Sequence, residues 1–120
     1  MDILCVTGRA SFWEALRPVF AAHGAELQLA PALDAALAVI AATPPALCIL
    51  DLEEPEAGLR AAVIKILTLN AAVHTAAVTS LDATAFHDRM EGLGMLMGLP
   101  SSPAAADIER LLEALRAVSA

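Results

Sequence analysis

The chain has 120 residues, a length that suits one domain with a single hydrophobic core. Apolar residues make up 58% of it, but the longest uninterrupted apolar run, Ala35–Ala42, is far shorter than the ~20 residues that span a bilayer. The net charge of -7 repels phosphate backbones and anionic lipid, so we expect neither a nucleic-acid partner nor a membrane partner. The N-terminus opens on an acid and lacks the basic segment of a signal peptide. We therefore expect a cytoplasmic domain over residues 1–120, without an output domain.

The first half of the sequence alternates between strand patterns and helix patterns. Apolar residues predict a strand over Ile3–Val6, and apolar residues at helical spacing then continue to a stop at Gly24. The stretch ELQLA from Glu26 predicts a second strand, and a helical pattern follows over Leu33–Ala42. The sequence TPP breaks that helix before a third strand, ALCIL. Each strand is thus followed by a helix.

The second half repeats this alternation. Apolar spacing over Leu59–Leu67 predicts a third helix, and VHTAAVTS predicts a fourth strand. Phe86, Met90 and Leu93 mark a fourth helix, and GMLMGLP predicts a fifth strand. Residues Ser101–Pro103 are typical of a helix start, so a fifth helix is expected to begin there.

Five strands that alternate with five helices require a parallel sheet covered on both faces, which explains why the first and third strands are apolar throughout. Right-handed crossovers and the strand order 2-1-3-4-5 give a flavodoxin-like, doubly wound α/β fold. In such sheets the site lies beyond the carboxyl ends of the strands. The residues that follow the strands at this edge are Thr7, Gly8, Asp51, Thr79, Ser80, Leu99 and Pro100.

Four stretches of the chain resemble the receiver domain of bacterial response regulators. ILCVTG stands where the family has an apolar strand ending in two acids, and PALCILDLEEP where it has the phosphoacceptor strand. AVTS matches the strand that ends in a Thr or Ser hydroxyl, and GLGMLMGLP the last strand, which ends in Lys-Pro. The spacing agrees in all four places, over nearly the whole chain. The resemblance implies a phosphorelay signalling domain of a two-component system, and no enzyme.

Only part of the family's phosphorylation site is preserved at the first, third and fourth strands. The resemblance implies that Asp51 occupies the phosphoacceptor position and that Thr79 is the switch hydroxyl, which follows the phosphoryl group. Thr7 and Gly8 replace the acidic pair that holds magnesium together with the phosphoacceptor. The metal site of the family is therefore degenerate in this sequence.

The third helix and the last strand also depart from the family pattern. Leu99 replaces the lysine that contacts the phosphoryl oxygens, although Pro100 matches the proline after it. Leu96 stands where an aromatic switch residue is common. The turn PEAG is one residue shorter between Pro55 and Gly58 than the family's usual form.

These replacements predict a domain without phosphorylation chemistry. Magnesium relies on oxygen ligands, usually carboxylates, so Asp51 beside a threonine and a glycine binds it weakly if at all, and we expect no cofactor. Phosphoryl transfer depends on cations that neutralise the moving group, and neither the metal nor the lysine is secured here. We therefore expect a pseudo-receiver whose fourth helix, fifth strand and fifth helix contact another signalling protein or a second copy of the chain.

Two other functions stay open from the sequence. The chain is a conventional receiver if a histidine kinase phosphorylates Asp51 in spite of the altered site. The loop from Thr7 to Ser11, TGRAS, is a third possibility, because helix N–H groups after such a loop bind small anions or nucleotides in other proteins. Many short loops between a strand and a helix contain one glycine, so this signal is weak.

Arg9 comes directly after the two replaced acids. Its guanidinium can reach Asp51 and pair with the carboxylate, as an internal cation in place of the metal. In the alternative arrangement Arg9 points into solvent, as most loop arginines do, and Asp51 is hydrated or accepts N–H groups of the loop. The sequence leaves both arrangements open.

Overall fold

The computed structural model describes residues 1–119, and these residues form five strands and five helices in alternation. The strands are β1 (Asp2–Thr7), β2 (Glu26–Ala30), β3 (Leu47–Asp51), β4 (His74–Val78) and β5 (Met97–Leu99). The helices are α1 (Ala10–Ala22), α2 (Leu33–Ala42), α3 (Pro55–Leu69), α4 (Ala83–Arg89) and α5 (Ala105–Ser119). All strand pairings are parallel, in the order β2-β1-β3-β4-β5. The predicted flavodoxin-like fold and strand order are confirmed.

Two apolar clusters lie on opposite faces of the sheet. Side chains of α1 and α5 cover one face, where they pack against Ile3 and Cys5 of β1. Side chains of α2, α3 and α4 cover the other face, against Leu4 and Val6. Successive side chains of a strand point to opposite faces, so a strand buried on both faces is apolar at every position. Residues Ile3–Val6 of β1 and Leu47–Leu50 of β3 follow this rule.

The predicted end of the fourth helix is wrong. Helix α4 ends at Arg89, because the chain then turns through Gly92 and Gly94, whose φ angles are +86° and +64°. Glycine adopts this left-handed backbone without the steric cost that a side chain adds. Leu93 is nevertheless buried in the core, which explains why the apolar spacing continued past the helix. Strand β5 is accordingly shorter than GMLMGLP.

The predicted start of the fifth helix is also wrong. Helix α5 begins at Ala105, after the segment Ser101–Pro103, and the Asp107 carboxylate accepts a hydrogen bond from the Ala104 N–H at 2.8 Å.

The turn PEAG is not a loop, because Pro55 is at the start of α3 and Gly58 lies inside its first turns. Among residues 1–119 no helix combines the length and the apolar character of a bilayer span.

The sheet register brings the predicted site residues to one edge. Thr7 and Asp51 are directly paired at the ends of β1 and β3. On the other side of β3, the Thr79 N–H donates to the Leu99 carbonyl at 2.8 Å. The carboxyl ends of β1 and β4 therefore lie on the two sides of Asp51.

Gly98 of β5 leaves room for two side chains that pack over it. A Cβ built at this position would lie 2.8 Å from Cγ2 of Thr79 and 3.3 Å from the ring of Phe86. Thr79 is buried and β-branched, so its methyl group has few other rotamers to adopt. We expect Gly98→Ala to lower the free energy of unfolding by about 1–2 kcal/mol, measured by urea denaturation.

The matched control for this substitution is Gly58→Ala. Gly58 lies within α3, and a Cβ there has no heavy atom within 4 Å. Because alanine is a better helix former than glycine, this substitution should raise the free energy of unfolding by roughly 0.5 kcal/mol or more. Equal effects of the two substitutions would contradict the close approach at Gly98.

Candidate functional site

Asp51 is the last residue of β3 and the only charged residue that is buried among residues 1–119. Only 8% of its surface is exposed, at the centre of the carboxyl edge of the sheet. A carboxylate in this environment loses most of its hydration and needs hydrogen-bond donors from the protein. The neighbouring side chains show how this demand is met.

Arg9 pairs with Asp51 through two hydrogen bonds. Its Nε donates to Oδ2 at 2.9 Å, and its Nη2 donates to Oδ1 at 3.1 Å. The two N–H groups of the guanidinium fork thus engage both oxygens of one carboxylate, which is the strongest geometry for this type of ion pair. Of the two arrangements that the sequence leaves open, the structure has the paired one.

Thr7 and Trp13 donate to the same carboxylate. The Thr7 hydroxyl lies 2.7 Å from Oδ2 of Asp51, and the indole Nε1 of Trp13 lies 2.9 Å from it. The Thr7 hydroxyl in turn accepts the backbone N–H of Arg9 at 2.8 Å. Oδ2 therefore accepts three hydrogen bonds and Oδ1 accepts one. All the donors lie between the last residue of β1 and the first turn of α1.

The indole of Trp13 is the functional contact that sequence reasoning missed. Arg9 precedes α1 and Trp13 follows it by four residues, so both side chains lie on the helix face above Asp51. This spacing was available in the sequence. The direction of the indole N–H was not, because it depends on the rotamer of a ring that is itself completely buried.

Phe12 supports the guanidinium from its other side. The Arg9 Cζ atom lies 4.5 Å from the centroid of the Phe12 ring, within the range of a cation–π contact. The Phe12 and Trp13 rings pack edge to face, with centroids 5.7 Å apart. Although 41% of the Arg9 side chain is exposed, its position is determined by contacts on both sides.

The surroundings lower the pKa of the Asp51 carboxyl below its ordinary value. Burial by itself raises this pKa, because it disfavours the charged form. Hydrogen bonds from Arg9, Trp13 and Thr7 to the ionised form, together with the charge of Arg9, outweigh the effect of burial. Asp51 is therefore ionised at neutral pH and accepts four hydrogen bonds.

The residues present do not fit the magnesium ion of the receiver family. The ion needs oxygen ligands around it, but Thr7 and Gly8 stand in place of the acidic pair and both oxygens of Asp51 already accept from Arg9. Within the described range 1–119, no group of three His, Cys, Asp or Glu side chains is placed to hold a metal. Arg9 supplies the positive charge at this position.

The predicted switch hydroxyl lies near Asp51 without contacting it. Oγ1 of Thr79 accepts the backbone N–H of Leu81 at 3.1 Å, and its methyl group packs toward Gly98. None of the hydrogen bonds found among residues 1–119 joins Thr79 to Asp51. Ser80 is exposed and donates weakly to Glu56 at 3.4 Å.

The remaining degenerate positions do not enter the Asp51 network. Leu99 is only 1% exposed and packs in the core below α1 and α5. Its apolar side chain has no donor for phosphoryl oxygens. Leu96 is half-buried against the same core, and Pro100 is exposed. Gly8 is exposed, and the atom nearest to a Cβ built there is Oε1 of Glu53, at 3.9 Å.

A cleft of about 660 Å³ opens above Asp51. Three glutamates of the acidic turn line it, Glu53, Glu54 and Glu56, and Arg9 is the only lysine or arginine among its lining residues. The field in this cleft repels a phosphoryl group or another anion.

Several solved structures have the same fold. A two-component response regulator from Clostridium difficile has a TM-score of 0.79 at 14% identity, over 98% of this chain and 96% of that one. A response regulator of the LuxR family from Aurantimonas also has a TM-score of 0.79, at 21% identity over 98% and 85% of the two chains. A CheY-like receiver domain from Methanospirillum hungatei has a TM-score of 0.76 at 18% identity, over 97% and 94%. This chain has the fold of a response-regulator receiver domain.

No protein-family model and no curated protein matches the sequence. At identities of 14–21% the structural similarity establishes the receiver fold alone. What this receiver fold does chemically has to be judged from the residues around Asp51.

The Arg9–Asp51 pair of this receiver fold predicts unequal effects of two substitutions. Arg9→Ala leaves a buried carboxylate with two of its four hydrogen bonds, and we expect it to cost about 2 kcal/mol of unfolding free energy. Asp51→Asn removes the charge, keeps an oxygen that accepts from Thr7 and Trp13, and lets the half-exposed Arg9 return to solvent. It should therefore cost less. Denaturation followed by Trp13 fluorescence measures the unfolding free energies of both variants. An Arg9→Ala variant as stable as the unmodified chain would show that the ion pair does not stabilise the fold.

The lowered pKa of Asp51 also predicts how stability depends on pH. A carboxyl with a lowered pKa stabilises the fold fully above its unfolded pKa of about 3.9, and this contribution is lost as the pH falls through the folded pKa. The difference in unfolding free energy between the unmodified chain and Asp51→Asn should therefore shrink toward acid. The other carboxyl groups are common to both proteins, so parallel pH profiles would contradict the assignment to Asp51.

Proposed function

We propose that this chain is a signalling domain of the two-component type that works without phosphorylation, as a pseudo-receiver. The observation that carries the proposal is that both oxygens of the phosphoacceptor position, Asp51, are occupied by hydrogen bonds from the domain's own side chains. The alternative is a conventional receiver that a histidine kinase phosphorylates on Asp51.

Phosphorylation of Asp51 requires a free oxygen and a nearby cation that can receive the phosphoryl group. Because Oδ2 accepts three hydrogen bonds and Oδ1 accepts one, an attack on phosphorus by either oxygen competes with the bonds that hold Arg9. Its departure would remove the one cation that lines the cleft. The added phosphoryl group would then carry nearly two negative charges beside the three glutamates of the acidic turn. These costs favour a domain that stays unphosphorylated.

Arg9 gives this domain a permanent positive charge where conventional receivers recruit a metal. The ion pair, the Thr7 hydroxyl and the Trp13 indole join the ends of β1, α1 and β3. Thr79, whose counterpart follows a phosphoryl group, is held by the Leu81 N–H instead. In this proposal the carboxyl edge keeps the observed arrangement, and signalling comes from the surface that this arrangement presents.

The surface around α4, β5 and α5 supports a role in protein contacts. A groove of about 1070 Å³ runs between α4 and β5, larger than most small-molecule sites. Phe86, Met90, Met95 and Met97 contribute its apolar lining. Methionine side chains are flexible and polarizable, and they are common where one surface adapts to a protein partner. We assign this groove to contact with another signalling protein or a second copy of the chain.

The proposal predicts that small phosphoryl donors leave Asp51 unmodified. After incubation with acetyl phosphate and magnesium, intact mass measurement should show no appreciable adduct, because Arg9 occupies the oxygens and no metal is held. A stoichiometric adduct that disappears in Asp51→Asn would establish the conventional receiver instead.

A double variant provides the contrast. Arg9→Ala with Gly8→Asp frees Oδ1 of Asp51, leaves Oδ2 with the Thr7 and Trp13 donors, and adds a second carboxylate at an exposed position with room for a side chain. Millimolar magnesium should then change the emission of Trp13, the only tryptophan, and should leave the unmodified chain unchanged. Saturable binding by the unmodified chain would show that Arg9 does not exclude the metal.

A further inference from the structure

An apolar groove lies between the C-terminal turns of α2 and α3. It has a volume of about 480 Å³, and its lining residues are Leu37, Ala41, Ile64, Lys65, Thr68 and Leu69. Helices that follow strands of a parallel sheet run antiparallel to them, so these turns lie at the edge of the sheet opposite Asp51. The α2–α3 groove is therefore separate from the acidic cleft and from the α4–β5 groove.

The α2–α3 groove exposes large apolar side chains. Ile64 and Leu69 are each 46% exposed, and they are two of the four exposed large hydrophobic residues among residues 1–119. Both lie on α3, beside the half-buried Leu37 of α2. A single exposed leucine is ordinary, but two that share one groove with a third apolar side chain form a contiguous patch.

The charge around this groove differs from that of the whole chain. Residues 35–50 contain no charged side chain, and Lys65 is the only lysine, arginine, aspartate or glutamate in residues 61–81. Lys65 is also the only lysine of the protein, and none of the salt bridges among residues 1–119 involves it. The long stem of a lysine lies along apolar surface while its ammonium group stays at the rim.

The acidic residues of α2 and α3, Asp34 and Glu56, lie in the first turns of their helices, whereas the groove is formed by the C-terminal turns. Glu56 lies in the first turn of α3, nine residues before Lys65, which is about 14 Å along a helix. Surface charges are largely screened beyond about 8 Å at physiological ionic strength. Lys65 is therefore the only charged side chain among the residues that line the groove, although the net charge of the chain is -7.

We propose that the α2–α3 groove binds an amphipathic helix of a partner protein that carries an acidic residue beside its apolar face. The apolar face would bury Ile64 and Leu69, and the acidic residue would pair with Lys65. Helices with apolar residues at i, i+3, i+4 and i+7 bind grooves between two helices in this way. This inference is independent of whether Asp51 is phosphorylated.

Two other occupants fit the charges less well. A symmetric contact between two copies would bring both Lys65 side chains to one axis and would approach two chains of charge -7. An anionic membrane surface attracts clusters of several basic residues, and this groove has one. The acidic helix is the occupant that uses both the apolar surface and the single cation.

A titration with synthetic peptides tests the proposal on the full chain. The probe is an amphipathic helix of about four turns, with leucines on one face and glutamates beside them. We expect saturable shifts of backbone amide resonances in α2 and α3, centred on Leu37, Ile64 and Leu69, and weaker binding at high salt. The same peptide with lysine in place of glutamate should bind this groove at least fivefold more weakly.

Exposed variants separate the two contributions to binding. Ile64→Ser should weaken binding of the glutamate peptide about tenfold through lost apolar contact, and Lys65→Glu about fivefold or more through charge reversal. The matched controls are Val118→Ser, an exposed apolar position on α5, and Arg89→Glu on α4, and both should change binding less than twofold. Circular dichroism checks that all four variants are folded.

Several results would overturn the proposal. These are no saturable shift, shifts centred outside α2 and α3, or equal binding of the glutamate and lysine peptides. Self-association that Ile64→Ser abolishes would show that a second copy occupies the groove. Sedimentation with anionic vesicles that depends on Lys65 would assign it to a lipid surface. The mass measurement on Asp51 is a separate readout, so a failure here leaves the pseudo-receiver proposal intact.

Discussion

The carboxylate of Asp51, buried at the end of the central strand, is the constraint around which the carboxyl edge is arranged. Removing an ionised carboxylate from water costs several kcal/mol unless donors replace the lost hydration. Four hydrogen bonds from Thr7, Arg9 and Trp13 replace it here. Because these donors come from the end of β1 and the start of α1, the same bonds determine how that helix leaves the sheet. The core geometry and the local electrostatics are thus coupled at one side chain.

A guanidinium and a metal ion neutralise a carboxylate in different ways. A bound ion exchanges with solvent and accepts new oxygen ligands when a phosphoryl group arrives, whereas Arg9 has only N–H donors and is tethered to the chain. Its plane is also held by the Phe12 ring. An internal cation of this kind stabilises one state of the domain and offers no open ligand position. The exposed grooves on α2, α3, α4 and β5 then become the parts of the molecule that can respond to a partner.

The fold was predictable because burial on both faces leaves a continuous apolar pattern in β1 and β3. The ends of the helices and strands were less predictable. Leu93 keeps the helical spacing, although α4 ends at Arg89 and the chain turns at Gly92 and Gly94. At the site, the position of Arg9 after the missing acids predicted a possible pair. Trp13 was missed because an aromatic residue on an amphipathic helix has the same sequence pattern whether or not its N–H finds a polar partner. Side-chain direction is a property of packing, and periodicity does not contain it.

The pairing of Arg9 with Asp51 also bears on how such a sequence can change over evolutionary time. Loss of the arginine leaves a buried carboxylate without its cation. Loss of the aspartate leaves the half-exposed arginine without its bidentate partner. A sequence that keeps the buried aspartate therefore has to keep a cation beside it, which makes a stepwise return to an acidic pair and a free phosphoacceptor difficult. Under this constraint the arginine is retained because it neutralises the buried aspartate. Its presence in a related sequence would then indicate inheritance of the ion pair, and an alignment column of invariant aspartates would hide two populations with different chemistry.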